Sequence, residues 1–168
     1  MKNSIYLITL AVLLMCGCQV RAKEATSDSN SRISGLVSEY SLRSDFEVIR
    51  LGRLGLGLVK SILRSNMDEE DMEVLDLIKD VRKVVVANYG DCEESVRSEF
   101  TSRLSQLLDK DCLLLEAKDS GEKVQIYGEA SESGDKITNL IINAPESGAL
   151  ICIYGSISTE TLSRAIQE

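Results

Sequence analysis

The sequence predicts a single α+β domain: a mainly antiparallel sheet of five or six strands with helices packed on one face, behind a signal peptide and a tether. Three observations predict it. From Glu122 to Ile157, three runs rich in Val, Ile, Leu and Tyr (Val124–Tyr127, Ile137–Ile142, Leu150–Ile157) are separated by two clusters of turn-forming residues. That spacing is the mark of an antiparallel meander. Val84, Val85 and Val86 stand in succession, as in a strand buried on both faces near the middle of a sheet. Between Asp91 and Asp109, Val96, Phe100, Leu104, Leu107 and Leu108 recur at helical spacing.

Composition bounds the answer further. The 168 residues fall into a signal peptide over 1–17, a flexible tether over 18–32 and one domain over 33–168. A domain of this size buries roughly 70% of its unfolded surface, enough for one core. Aromatic residues are only 4%, with no Trp, so an aliphatic core is expected. The net charge is −8, and removing residues 1–17 takes out Lys2 and no acid, leaving −9. Such a balance argues against nucleic acid and against electrostatic adhesion to anionic lipid. The absence of His removes the commonest general base, the commonest metal ligand and any Ser/His or Cys/His pair.

At the N-terminus Lys2 precedes an apolar run, Ile5 to Met15, too short to cross a bilayer and suited to a secretory signal. It ends in Met15-Cys16-Gly17-Cys18, which resembles a bacterial lipobox, with Met15 where Leu is usual. By that resemblance Cys18 carries lipid after cleavage behind Gly17, and the membrane is a partner through the anchor. A plain cleaved signal or an anchor helix is the simpler alternative. Gln19, rather than Asp, after the cysteine resembles the pattern of outer-membrane lipoproteins. Gln19 to Ser31 is polar and aperiodic, as a tether would be.

The domain then reads in order. Ile33, Leu36, Val37 and Tyr40 predict a short amphipathic helix over 33–42. Asp45 to Leu51 alternates as a strand, and a helix follows from about Leu54 to Leu63. Gly52, Gly55 and Gly57 match neither the dinucleotide nor the phosphate-loop spacing, so close helix packing is the expected role. Asn66 to Glu73 lacks the alternation and glycine of a calcium loop and suits the start of a helix over Glu70–Ile78. Val81 to Tyr89 is the central strand. Asp91 is placed to cap the next helix, with Glu94 completing a capping-box-like pair. Cys112 to Lys118 reads as a strand leading into the meander. Tyr127-Gly128 and Tyr154-Gly155 read as strand ends, where glycine permits a bulge or exit. Ser158 is placed to cap a last helix, with Ile157 and Leu162 as a hydrophobic staple.

The runs Ile78–Val86 (I-K-x-V-R-x-V-V-V), Val124–Tyr127, Lys136–Ile142 and Leu150–Ile157 together resemble the domain of unknown function 4252 family. The resemblance spans roughly Phe46 to Ile166. It implies a small secreted or lipid-anchored envelope protein of a kind found mostly in Bacteroidota. It supplies no catalytic residues to carry over.

Little chemistry is left for side chains. Cys92, Cys112 and Cys152 remain in the mature chain. The first two flank a helix too long for a bridge. Cys112–Cys152 pairing requires neighbouring strands, and three buried thiols acting as small hydrophobes is the alternative. Three scattered cysteines without His do not make a zinc site. Tyr127 and Tyr154 could face a ligand or simply pack on the sheet. Glu116, Glu122, Glu129 and Asp135 have no spacing that distinguishes a carboxylate pair from a solvated edge. No catalytic, cofactor or metal residue is assigned. The reading is a non-catalytic envelope lipoprotein that binds a partner protein through a sheet face or an edge strand. The alternatives are a carboxylate hydrolase, a thiol-redox protein, or a regulatory partner in envelope signalling.

Overall fold

The computed structural model describes residues 26–65, 79–119 and 121–160. The expected helix over Glu70–Ile78, the acidic run Asn66–Glu73, Cys18 and the residues beyond 160 lie outside them. The described elements are α1 (Thr26–Tyr40), β1 (Glu47–Leu51), α2 (Arg53–Ser65), β2 (Val81–Asn88), α3 (Glu94–Leu107), a 3-10 turn (Lys110–Cys112), β3 (Leu113–Asp119), β4 (Glu122–Ala130), β5 (Lys136–Ala144) and β6 (Ala149–Ser158). The strands form one sheet of six in the order β1-β2-β6-β5-β4-β3, and every neighbouring pair is antiparallel. The α+β class and the meander are as the sequence predicts, with β2 in an interior position.

Adjacent residues of one strand feed two different cores, because side chains alternate across a strand. Val85, Ile141, Cys152 and Tyr127 join the first core, with Ile33, Leu36, Val37 and Tyr40 of α1 and Phe100 and Leu104 of α3. Val84, Ile142, Ile153 and Ile126 belong to the second, with Leu56 of α2. Thus α1 and α3 share one face, while α2 adds a contact on the other.

The first core departs from the aliphatic expectation. Phe100 stands 5.1 Å from Tyr40, 5.0 Å from Phe46 and 4.7 Å from Tyr89, centroid to centroid. Few aromatics are present, but these four are gathered where α1 and α3 meet the sheet. A large ring fills the angle between helix and sheet that branched chains would leave open. Arg103 of α3 fixes the helices to one another from outside, donating to both carboxylate oxygens of Glu39 at 2.6 and 2.8 Å.

Several boundaries differ from expectation. Helix α1 starts at Thr26, seven residues before Ile33, taking in part of the stretch read as tether. Its polar first turns have weak propensity, but burial of Ile33, Leu36, Val37 and Tyr40 supports the whole helix. Asp91 does not cap α3. The turn after β2 uses it, with Cys92 N–H donating to Tyr89 C=O at 3.3 Å, and the cap position falls to Glu93, which makes no side-chain cap bond. Cys112 closes the 3-10 turn instead of opening β3. Gly128 and Gly155 lie inside β4 and β6, not at strand ends. Ser158 ends β6 and, as expected, directly precedes helical residues, Thr159 and Glu160. Gly55 alone of its trio has a neighbour where a Cβ would stand, Leu51 at 3.4 Å, whereas Gly52 and Gly57 face open space.

The bulge expected at the glycines is part of something larger. The register slips at Val81/Lys83 in β2, Thr138/Leu140 in β5, Tyr127/Glu129 in β4 and Leu113/Leu115 in β3. These slips are neighbours, so a line of irregularity crosses the sheet from β2 through β6 to β3. A bulge inserts one residue and reverses which face the following side chains occupy. Val81 and Val85 are an even number of residues apart, yet Val81 lies in the second core and Val85 in the first. Ile137 and Ile141 are divided in the same way. Beyond the line, the face under α1 therefore loses its apolar lining.

Candidate ligand cleft and contact surface

A cleft opens where that lining stops. Its volume is about 590 Å³, and it lies between α1 and the bulge line. Ser31, Ser34, Gly35 and Ser38, on successive turns of α1, form one wall; Arg82, Lys83, Asn139 and Tyr154 form the floor. A second hollow of about 540 Å³, lined by Asp80, Lys136, Thr138 and Ser156 among others, shares Arg82 and Asn139 with it. Asn139 adopts the left-handed conformation, φ 53°, in which asparagine is enriched among non-glycine residues.

The cleft is cationic in an acidic protein. The Lys83 ammonium stands 5.0 Å from the centroid of the Tyr154 ring and donates to the Ser34 hydroxyl at 3.5 Å. Arg50 donates to the Ser38 hydroxyl at 3.3 Å on the same helix. Among the described residues the one acid bordering either hollow, Asp80, lies 3.6 Å from Lys136. Burial pushes the Tyr154 phenol well above its usual range, so it stays neutral and offers no negative charge.

The residues singled out in the sequence are scattered. Tyr127 is core, and Tyr154 reaches the cleft. Glu116 is paired with Lys123 at 3.0 Å, which holds its carboxyl below the usual range. Asp135 accepts from Ser131 and Ser133 in the β4–β5 turn. Glu129 sits opposite Thr138, and Glu122 opposite Asp119, so the four carboxylates do not converge. Cys92, Cys112 and Cys152 are all free thiols. Two strands, β4 and β5, lie between β6 and the strand that follows Cys112, about 14 Å across, beyond the reach of a disulfide. Burial raises all three thiols, Cys152 to about 12, which suppresses the thiolate that redox chemistry needs. Among the described residues no three His, Cys, Asp or Glu side chains group as metal ligands, and no helix is long and apolar enough to cross a membrane.

Sequence reasoning missed Arg82, Lys83 and Asn139. The available signal was a polar interruption in each strand, Arg-Lys before Val84 and Thr-Asn before Leu140. Asn is depleted in strands, and a bulge is one place it is tolerated.

A second surface lies on the other side of the sheet. Leu56 is 4% exposed, and Leu54 and Leu58, two positions to either side, turn away from the sheet at 88% and 67%. Ile49 of β1, an edge strand, is 60% exposed. Ile49 alternates with Val48, which packs on the first core, so its side chain emerges on the face that carries α2.

Residues 40–165 match the family described as Domain of unknown function (DUF4252). The chain belongs to that family. No curated protein and no solved structure matches it. The DUF4252 match takes in the floor of the cleft, Ile49, Leu54 and Leu58, but not the serine wall at Ser31 to Ser38, which precedes it.

Proposed function

We propose that this DUF4252 chain is an envelope lipoprotein, carried on lipid at Cys18 and destined for the outer membrane, that serves as a non-catalytic binding module for a partner protein. The observation that carries the binding role is the exposed group Ile49, Leu54 and Leu58 beside β1, the end strand of the sheet among the described residues. Large aliphatic side chains held in water beside an edge strand suit an extended partner segment that adds to the sheet and packs on α2. Arg53 opens the helix that carries this surface, and no acid occurs from Val48 to Ser65, so an acidic or neutral segment is favoured. The separated carboxylates and raised thiols support a non-catalytic role over the hydrolase and redox alternatives.

Photo-crosslinking in intact cells tests the reading. A photoreactive residue at position 54 or 58 is expected to give one defined protein adduct, absent when the probe sits at the exposed Ser105 of α3. Adducts equal at all three positions would overturn the contact surface.

A further inference from the structure

We propose that the cleft between α1 and the bulge line binds a small hydroxylated anion, a sugar acid or sugar phosphate, with Lys83 as its charge partner. The site is independent of the β1–α2 surface and of the lipid anchor.

The half-buried Lys83 ammonium has the Tyr154 ring face and the Ser34 hydroxyl as neighbours, and no carboxylate within ion-pair distance among the described residues. A cation partly withdrawn from water gains most from a counter-charge, and an aromatic face replaces only part of it. Arg82 opens on the same space, also without a carboxylate partner among the described residues. Two cations thus converge on a cleft with no acid among its described lining residues, and Asp80, on the adjoining hollow, lies 3.6 Å from Lys136.

The remaining surfaces match hydroxyls. Ser34 and Ser38 present oxygens from one side and Asn139 an amide from the other. A volume of about 590 Å³ falls in the range of small-ligand sites, roughly 300–1,000 Å³, and suits one or two sugar rings. Asn139 takes the left-handed conformation that asparagine tolerates, which lets β5 bulge at the cleft floor. The apolar face is interrupted at this line, where Arg82, Lys83 and Asn139 border the cleft.

The test is isothermal titration of the full-length chain, purified in detergent, with glucuronate, glucose 6-phosphate and glucose. At least one anion is expected to bind and glucose is not; the anion that binds distinguishes carboxylate from phosphate. Lys83→Gln is expected to weaken binding at least tenfold, Lys83→Arg to retain it, and Lys60→Gln, on α2, to leave it unchanged. Should Lys83→Gln not fold by circular dichroism, Arg82→Gln carries the same comparison. The proposal is overturned if neither anion binds, if glucose binds as tightly, or if the charge-removing variant binds as well as the parent.

Discussion

A Cβ on Gly155 would stand 2.4 Å from the carbonyl oxygen of Asp80. The contact joins β6 to the residue before β2, at the start of the line of bulges that bends the sheet. Gly155 has φ 130°, so a side chain there meets both a closed space and an unfavourable backbone.

Gly155→Ala is therefore expected to destabilise the fold by about 2 kcal/mol or more. Gly57→Ala makes the contrast. Gly57 is exposed within α2 and faces open space, so alanine there is expected to stabilise by about 0.5–1 kcal/mol. Urea unfolding of both variants checks the pair of signs.

Phe100 is fully buried and touches three other rings. Phe100→Ala is expected to cost about 3–5 kcal/mol, since a rigid aromatic cluster collapses little into the void. An aliphatic residue cut from the second core, Ile137→Val, is expected to cost only about 0.5–1.5 kcal/mol. Unfolding midpoints with unchanged slopes would show both.

The hydrogen bond from Arg103 holds the Glu39 carboxyl below its usual range. A carboxyl lowered on folding binds its proton less readily than in the unfolded chain. Its contribution is present at neutral pH and is lost as pH falls through its lowered folded value. The pair is solvent-exposed, so the effect is small and salt-sensitive. Glu39→Gln is expected to lower stability at pH 7 and to match the parent in strong acid. Parallel denaturation curves across pH, at low and high salt, check it.

The sheet was legible in the sequence because its signals are local: three apolar runs, the turns between them, and the valines of β2. Helix α3 was legible for the same reason, through Phe100 and Leu104. The bulge line was only half legible. Gly128 and Gly155 suggested bulges, but their alignment with Arg82 and Asn139 depends on which strands are neighbours, and that is set by tertiary pairing. The cleft was hidden with it, since Ser34, Lys83 and Tyr154 are far apart in sequence and ordinary in type. The start of α1 was missed because its first turns are polar and are supported by packing further along the helix. The aromatic core was missed because a count of aromatics says nothing about where they gather.

The binding role proposed here requires a chain fixed at a membrane through Cys18. Radiolabelled palmitate incorporation with membrane fractionation, on the parent and on Cys18→Ser, tests this directly. The expected result is label in the parent protein, none in the serine variant, and release of the variant from the membrane fraction. A variant that remains in membranes at the parent's level, or a parent that takes up no label, would contradict the account.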